Sequence, residues 1–523
     1  MPEIRLAEII ASLSLATDLG MGQPMEQALR TCLLAVRLSD ALALDALTAR
    51  SAYYVALLRW VGCTADAHEF SVLVGDEIAA RTDGGFADFG NPLEVAGVLL
   101  RITGRQSMRR RVQTVTAIAA AGPRALRESA TAHCEVAQLF AARLALGHET
   151  ERALGDIFER WDGRGHPAGR RGDEIAPAAR IAYLARDLEV LHRLGGTASA
   201  VAVARRRAGR AYDPQLVERL VAQGPEILSS LDQSSPWDAA LMLEPRPWRV
   251  LTGPDLDSAA EVFADFVDIK SVYTVGHSRG VAALAADAAG ILHMPDADVV
   301  SLRRSGLLHD IGRTGVPNSV WEKRGSLTGT EWERVRLHPY LTERVLARPE
   351  PLRHEAQLAS LHHERMDGSG YHRNARGAAI PMSARILAAA DAFHAMTEAR
   401  PYRPARSGAE AAHELQRDAA AGRLDRDATR AVIEAAGLPP PRREVVTDLS
   451  ARETEVLRHV VRGASNKVIA QALGISPSTV HHHVQHIYDK IGVSSRAAAT
   501  LYATNHGLVG EAVTLELEPR ASP

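Results

Sequence analysis

The chain has 523 residues, 46% of them hydrophobic and 24% charged, with a formal net charge of −2; this is an ordinary globular balance with room for about three domains. So little net charge excludes attraction of the whole chain to polyanions, so any nucleic-acid binding has to come from a local patch. Three irregularly spaced cysteines (Cys32, Cys63, Cys134) argue against a disulfide framework or a zinc–cysteine site. With no apolar run of the ~20 residues that span a bilayer and no signal-peptide pattern at the start, the expectation is a cytoplasmic protein with no membrane partner.

Residues 1–230 read as helix: Ala, Leu, Arg and Glu dominate and apolar positions recur at i, i+3 and i+4. Residues 231–258, rich in Pro, Ser and Asp, read as a linker. Residues 259–436 are helical again, as in VAALAADAAGILHM (281–294). A Pro-rich linker follows at 437–447, where PPP (439–441) forbids helix. Residues 448–510 form a small module opening on Ser450 and Glu453, the spacing of a capping box. Its Gly474 turn and the helix of SPSTVHHHVQHIYDKIGV (476–493) give a helix-turn-helix pattern. Residues 511–523 are a tail. The expected fold class is all-α: two tandem helical bundles followed by the helix-turn-helix domain.

The two bundles are read from an internal repeat. FERWDGRGHPAGRRGDEIAPAARI (158–181) matches HERMDGSGYHRNARGAAIPMSARI (363–386) at a constant offset, which also relates His133 to His338. Upstream, YVALLRWVGC (54–63) resembles RSGLLHDIGR (304–313), with a longer insertion following in the first copy.

In the second copy His277, His309, Asp310, His338, His362, His363 and Asp391 stand in segments that otherwise read as buried helix. A buried carboxylate is costly unless paired or bound to metal, and imidazole with carboxylate suits iron, manganese or similar divalent ions. The residues alone leave a metal site and a set of satisfied core histidines both open.

These motifs resemble the HD-GYP family of phosphohydrolases: YTVGHS (273–278), LLHDIGRTGVP (307–317), RLHP (336–339), HHERMDGSGYH (362–372), ARILAAAD (384–391) and RPYR (400–403) follow the family's order. The resemblance implies a helical HD bundle that hydrolyses cyclic di-GMP to pGpG or GMP. It implies metal ligands at His277, His309, Asp310, His338, His362, His363 and Asp391, holding two divalent ions, iron or manganese. Asp310 and Arg313 take catalytic roles, and Arg313, Arg400 and Arg403 bind substrate phosphate. The sequence departs from the family in three places: GYP ends in His372, the Lys after HDIG is Arg313, and the Asp three residues after the last ligand is His394. Some members carry a third-metal Glu where this chain has Tyr273.

The first copy has Arg59-Trp60 and Ile157-Phe158 where the second has His-Asp and His-His, so it is expected to lack metal and activity. The C-terminal module resembles the LuxR/FixJ-type DNA-binding domain through LSARETEVL, GASNKVIAQALGIS and STVHHHVQHIYDKIGV. That resemblance implies double-stranded DNA as partner, with contacts from Lys467, Thr479, His481, His482, Gln485 and Lys490. It also implies a homodimer reading two half-sites. Residues 447–510 hold six Lys/Arg against four Asp/Glu, so phosphate-driven affinity is modest for one copy. The leading reading is a cyclic dinucleotide phosphodiesterase coupled to transcription, with a cyclase domain as a further partner. The alternative is a cyclic-dinucleotide-responsive transcription factor with little turnover.

Overall fold

The computed structural model describes residues 3–85, 87–88, 90–104, 106–232, 235–437 and 449–508. The Pro-rich linker beyond Gly437 and the tail at 511–523 lie outside them. The described chain is all-α, and its one sheet is the two-residue antiparallel pairing of Ile4–Arg5 with Val250–Leu251.

The chain divides into two compact units, Met1–Phe266 with Ile311–Ser319 and Arg344–Arg353, and Val267–Asp310 with Val320–Glu343 and His354–Pro523. The described part of the segment read as a linker at 231–258 contributes to two helices. Pro236 opens the helix Pro236–Met242 under a Ser235 cap, and Pro254 opens Pro254–Asp268. Both prolines occupy the first helical position, where no N–H is needed and the fixed φ suits the helix. The segment is tied to its own unit by Tyr53 Oη donating to Ala240 O at 3.1 Å and Tyr54 Oη to Glu244 Oε1 at 3.0 Å.

In the second unit, Val281, Ala285, Ala288 and Ala289 of the helix His277–Ile291 are buried at helical spacing. They pack on Leu302 of Asp296–Leu308, Ile386, Leu387 and Phe393 of Met382–Thr397, Leu415 of Gly408–Ala420 and Val432 of Arg426–Gly437. The first two helices approach closely because Gly306 carries no Cβ: one there would lie 2.6 Å from Ala282 Cα. The helices Ala451–Val461, Asn466–Leu473, Pro477–Ile491 and Arg496–Asn505 form a separate small core around Val456, Leu457, Ile469, Val480 and Ile487. Ser450 and Glu453 form the capping box, and Gly474, at φ 65°, makes the turn.

Candidate metal centre

The seven residues proposed as ligands converge within the second unit, delivered by helix ends, a buried helix face and, for His362 and His363, the turn after Arg353–Ala359. Gly276 in the left-handed region (φ 80°) starts its helix on His277. His309, His338 and His362 each direct Nδ1 to the carbonyl three residues back: Gly306 O at 2.7 Å, Val335 O at 2.6 Å and Ala359 O at 2.7 Å. A carbonyl only accepts, so Nδ1 carries the hydrogen and Nε2 presents its lone pair to the site.

Asp310 stands between two sets of rings. Its Oδ2 lies 3.8 Å from His277 Nε2 and 3.6 Å from His309 Nε2, while Oδ1 lies 3.5 Å from His338 Nε2 and 3.6 Å from His362 Nε2. Asp391 closes the first set at 3.3 Å from His277 Nε2 and 3.8 Å from His309 Nε2, and its other oxygen is 3.7 Å from His363 Nδ1. The donor atoms fall into groups of metal-binding dimensions: His277, His309 and Asp391; His309, Asp310 and His362; His338, His362 and His363.

The site fits a cation by its own chemistry. His309 Nε2 is buried with no hydrogen-bond partner. His338 Nε2 and His362 Nε2 are 3.1 Å apart, two lone pairs facing each other with no hydrogen between neutral rings. Burial, the largest cause, pushes His362 down to about 3, so the ring stays neutral.

Sequence reasoning missed Glu398. Its Oε2 is 2.9 Å from His277 Nδ1, and Arg400 Nη2 holds that oxygen at 2.7 Å. Burial opposes a charge on His277, but Glu398 and the hydrogen bonds of Asp391 and Glu398 outweigh it and raise the ring to about 10. His394 Nδ1 lies 3.3 Å from His277 Nδ1, so His277, His394 and Glu398 form a further group of ligating dimensions. The signal was in the spacing: Asp391, His394 and Glu398 recur at i, i+3 and i+7, one helical face.

The substrate arginines are placed differently from the expectation. Arg400 is spent on Glu398 and on Tyr273 O at 2.7 Å. Arg403 donates to the carbonyls of Ala395 at 2.5 Å and Met396 at 3.0 Å. Both therefore brace the backbone after the Asp391 helix. Arg313 lies in the turn Ile311–Gly315, grouped with the first unit, and is partly buried.

In the small domain, Lys467, Thr479, His481, His482 and Gln485 are exposed, all but Lys467 on the helix Pro477–Ile491. Lys490 is exposed too, but its Nζ is paired with Glu453 Oε2 at 2.8 Å, so it is occupied by the capping box rather than left for phosphate. The domain packs on the segment that carries His277. Val275 joins its core, Arg279 Nη2 donates to Asn505 Oδ1 at 3.1 Å, and a Cβ on Gly463 would meet Val272 at 2.9 Å.

The HD domain family matches residues 125–216 and 261–428, and the luxR family of bacterial regulatory proteins matches residues 447–503. The 3'3'-cGAMP-specific phosphodiesterase 3 of Vibrio cholerae serotype O1 is 32% identical over 76% of this chain and 88% of that protein. A cyclic di-GMP phosphodiesterase of Thermotoga maritima is 34% identical over 30% of this chain and 43% of that protein. The crystal structure of a cyclic GMP-AMP specific phosphodiesterase of V. cholerae (V-cGAP3) superposes with a TM-score of 0.59 at 28% identity, covering 84% of this chain and 99% of that one. Among the described residues no helix is long and apolar enough to cross a membrane.

Proposed function

The chain belongs to the HD-GYP family of HD-domain phosphohydrolases, and on that footing we propose that it hydrolyses a cyclic dinucleotide at the His-Asp centre of its second unit and reads DNA with its last four helices. The observation that carries the reading is Asp310, whose two oxygens address two separate pairs of histidines. A carboxylate so placed would contribute one oxygen to each of two cations. His277, His309 and Asp391 would hold one divalent ion, iron or manganese, and His338, His362 and His363 the other. Ions held there supply positive charge against a phosphodiester and acidify water. The chain's own contribution is to fix the rings: three Nδ1–H groups are anchored on main-chain carbonyls, and His277 is anchored on Glu398, so little reorganisation accompanies reaction. Asp310 both ligates and orients the nucleophile. Arg313 serves the phosphate on the strength of the resemblance, Arg400 and Arg403 mainly by bracing the loop.

Cyclic di-GMP is the substrate implied by the motifs. 3'3'-cGAMP is the second reading, favoured by the V. cholerae relative that matches over 88% of its own length. DNA contact falls to Lys467, Thr479, His481, His482 and Gln485, exposed around the recognition helix. The packing of the small domain on Val275 and Arg279, two residues either side of His277, supports coupling between nucleotide and DNA. A homodimer and a cyclase-domain partner belong to the same proposal and rest on the resemblance alone. Turnover of both nucleotides by the metal-loaded chain, compared with His309→Ala/Asp310→Ala, tests the enzyme against a binding-only receptor.

A further inference from the structure

The first unit repeats the frame of the site with other residues in it. Glu159 takes the amide N–H groups of Ala168 at 2.7 Å and Gly169 at 3.0 Å, as Glu364, 205 residues later, takes those of Arg373 at 2.6 Å and Ala375 at 2.8 Å. Phe158 stands edge-on to His133 at 4.8 Å and 83°, as His363 stands to His338 at 4.9 Å and 82°. His133 itself is turned to main chain, its Nε2 2.8 Å from Arg59 O. Around this frame the rings of Trp60, Phe158 and Tyr183 gather about Arg59 as an aromatic box, and each of the three is partly exposed.

Two guanidinium groups lie against its rings. Arg59 is 2% exposed, and its Nε and Nη1 have no hydrogen-bond partner. Its Cζ lies 5.1 Å from the Trp60 ring, 5.7 Å from Phe158 and 5.0 Å from Tyr183. Arg186 Cζ also lies 5.1 Å from the Trp60 ring, with its Nε unpartnered and its Nη1 on Asp187. Asp187 is shared between Arg186 and Tyr212, the latter at 2.6 Å, while Asp88 and Asp162 take Arg160. Ring faces attract a guanidinium, but they satisfy none of its in-plane N–H donors, and a buried cation with orphan donors is the arrangement native proteins avoid. Burial, followed by the Arg186 charge, pushes the Arg59 guanidinium down to about 10; it is charged at neutral pH against that penalty.

We propose that this box is a non-hydrolytic nucleotide site, in which Arg59 and Arg186 take a phosphate where the other copy uses metal, and Trp60, Phe158 and Tyr183 stack the base. Guanidinium forks match phosphate oxygens two at a time, and aromatic rings receive any base face. Among the described residues no group of metal-ligating dimensions lies here, so a bound phosphodiester is retained uncleaved. The site is independent of whether the His-Asp centre turns over.

The test uses the full chain carrying His309→Ala/Asp310→Ala, titrated calorimetrically with cyclic di-GMP, 3'3'-cGAMP and GMP as probes. At least one probe is expected to bind, and Arg59→Met in that background is expected to weaken it tenfold or more while raising the melting temperature of the ligand-free protein, because an unpartnered buried charge has been removed. Arg186→Met is expected to weaken the same probe, since Asp187 keeps Tyr212. Absence of binding by every probe, or binding unchanged by both substitutions, overturns the proposal. So does a lower ligand-free melting temperature for Arg59→Met, which would make the residue a structural strut.

Discussion

His338 and His362 face each other Nε2 to Nε2 at 3.1 Å, each with its Nδ1 hydrogen already given to a main-chain carbonyl. Two neutral rings so tethered repel through their lone pairs, and a cation between or beside them turns that repulsion into ligation. Metal is therefore expected to stabilise the fold. At a free ion concentration 100-fold above its dissociation constant the gain is about 2.7 kcal/mol. Thermal unfolding of chelated and Mn-loaded protein, with metal content measured on the same samples, checks this; His362→Ala is expected to lose most of the gain and about one ion.

Glu398 fixes His277 from behind, at 2.9 Å from Nδ1, and Arg400 fixes Glu398. Partners of this kind set ring orientation and basicity, and their loss typically weakens metal affinity by ~10–100-fold. Glu398→Gln is expected to fall in that range in a chelator-competition titration, with Arg400→Met weaker in the same direction. Unchanged affinity in both would remove Glu398 from the site's support.

The contact of the small domain with Val272, Val275 and Arg279 places Gly463 and Asn505 against the start of the His277 helix. A ligand coupled through this contact is expected to change DNA affinity by ~5–150-fold. Val275→Asp is expected to leave DNA binding intact and abolish its dependence on nucleotide, as read by fluorescence anisotropy with a labelled duplex. If the variant still responds to nucleotide as the wild type does, the contact is not the route.

Glu453 links the capping box to Lys490. The Lys490 hydrogen bond, opposed by burial and joined by the Ser450 amide, lowers its carboxyl from 4.5 to about 2. The folded state therefore binds this proton more weakly than the unfolded chain, so the contribution is complete above about pH 4.5 and lost as pH falls through about 2. A pair of this exposure is worth about 0.2–1 kcal/mol. The melting difference between wild type and Lys490→Met is expected to be present at pH 6 and to shrink toward zero as the pH is lowered to 2.

Part of the candidate site was legible because four of its seven candidate ligands, His309-Asp310 and His362-His363, come as adjacent pairs, where both members need partners. The helices followed from periodicity, and Ser450 and Glu453 announced their cap. The segment 231–258 misled because Pro and Ser also open helices, as Pro236 and Pro254 do. Arg400 and Arg403 were legible as charge but not as commitments: what a long side chain pairs with depends on Glu398 and the carbonyls of the Asp391 helix, which only folding brings within reach. Glu398 follows the last turn of that helix and belongs to none of the motifs, yet its spacing from Asp391 held the clue.

Hydrolysis of a cyclic dinucleotide at the proposed His309-Asp310 centre can be read directly from its products. The direct measurement is release of linear dinucleotide and mononucleotide from cyclic di-GMP and 3'3'-cGAMP by the Mn- or Fe-loaded full chain, beside His309→Ala/Asp310→Ala. Turnover of at least one substrate is expected, lost on chelation and in the double variant. Tight binding of both nucleotides by the metal-loaded protein with no product, or product formation that survives in the double variant, would contradict it.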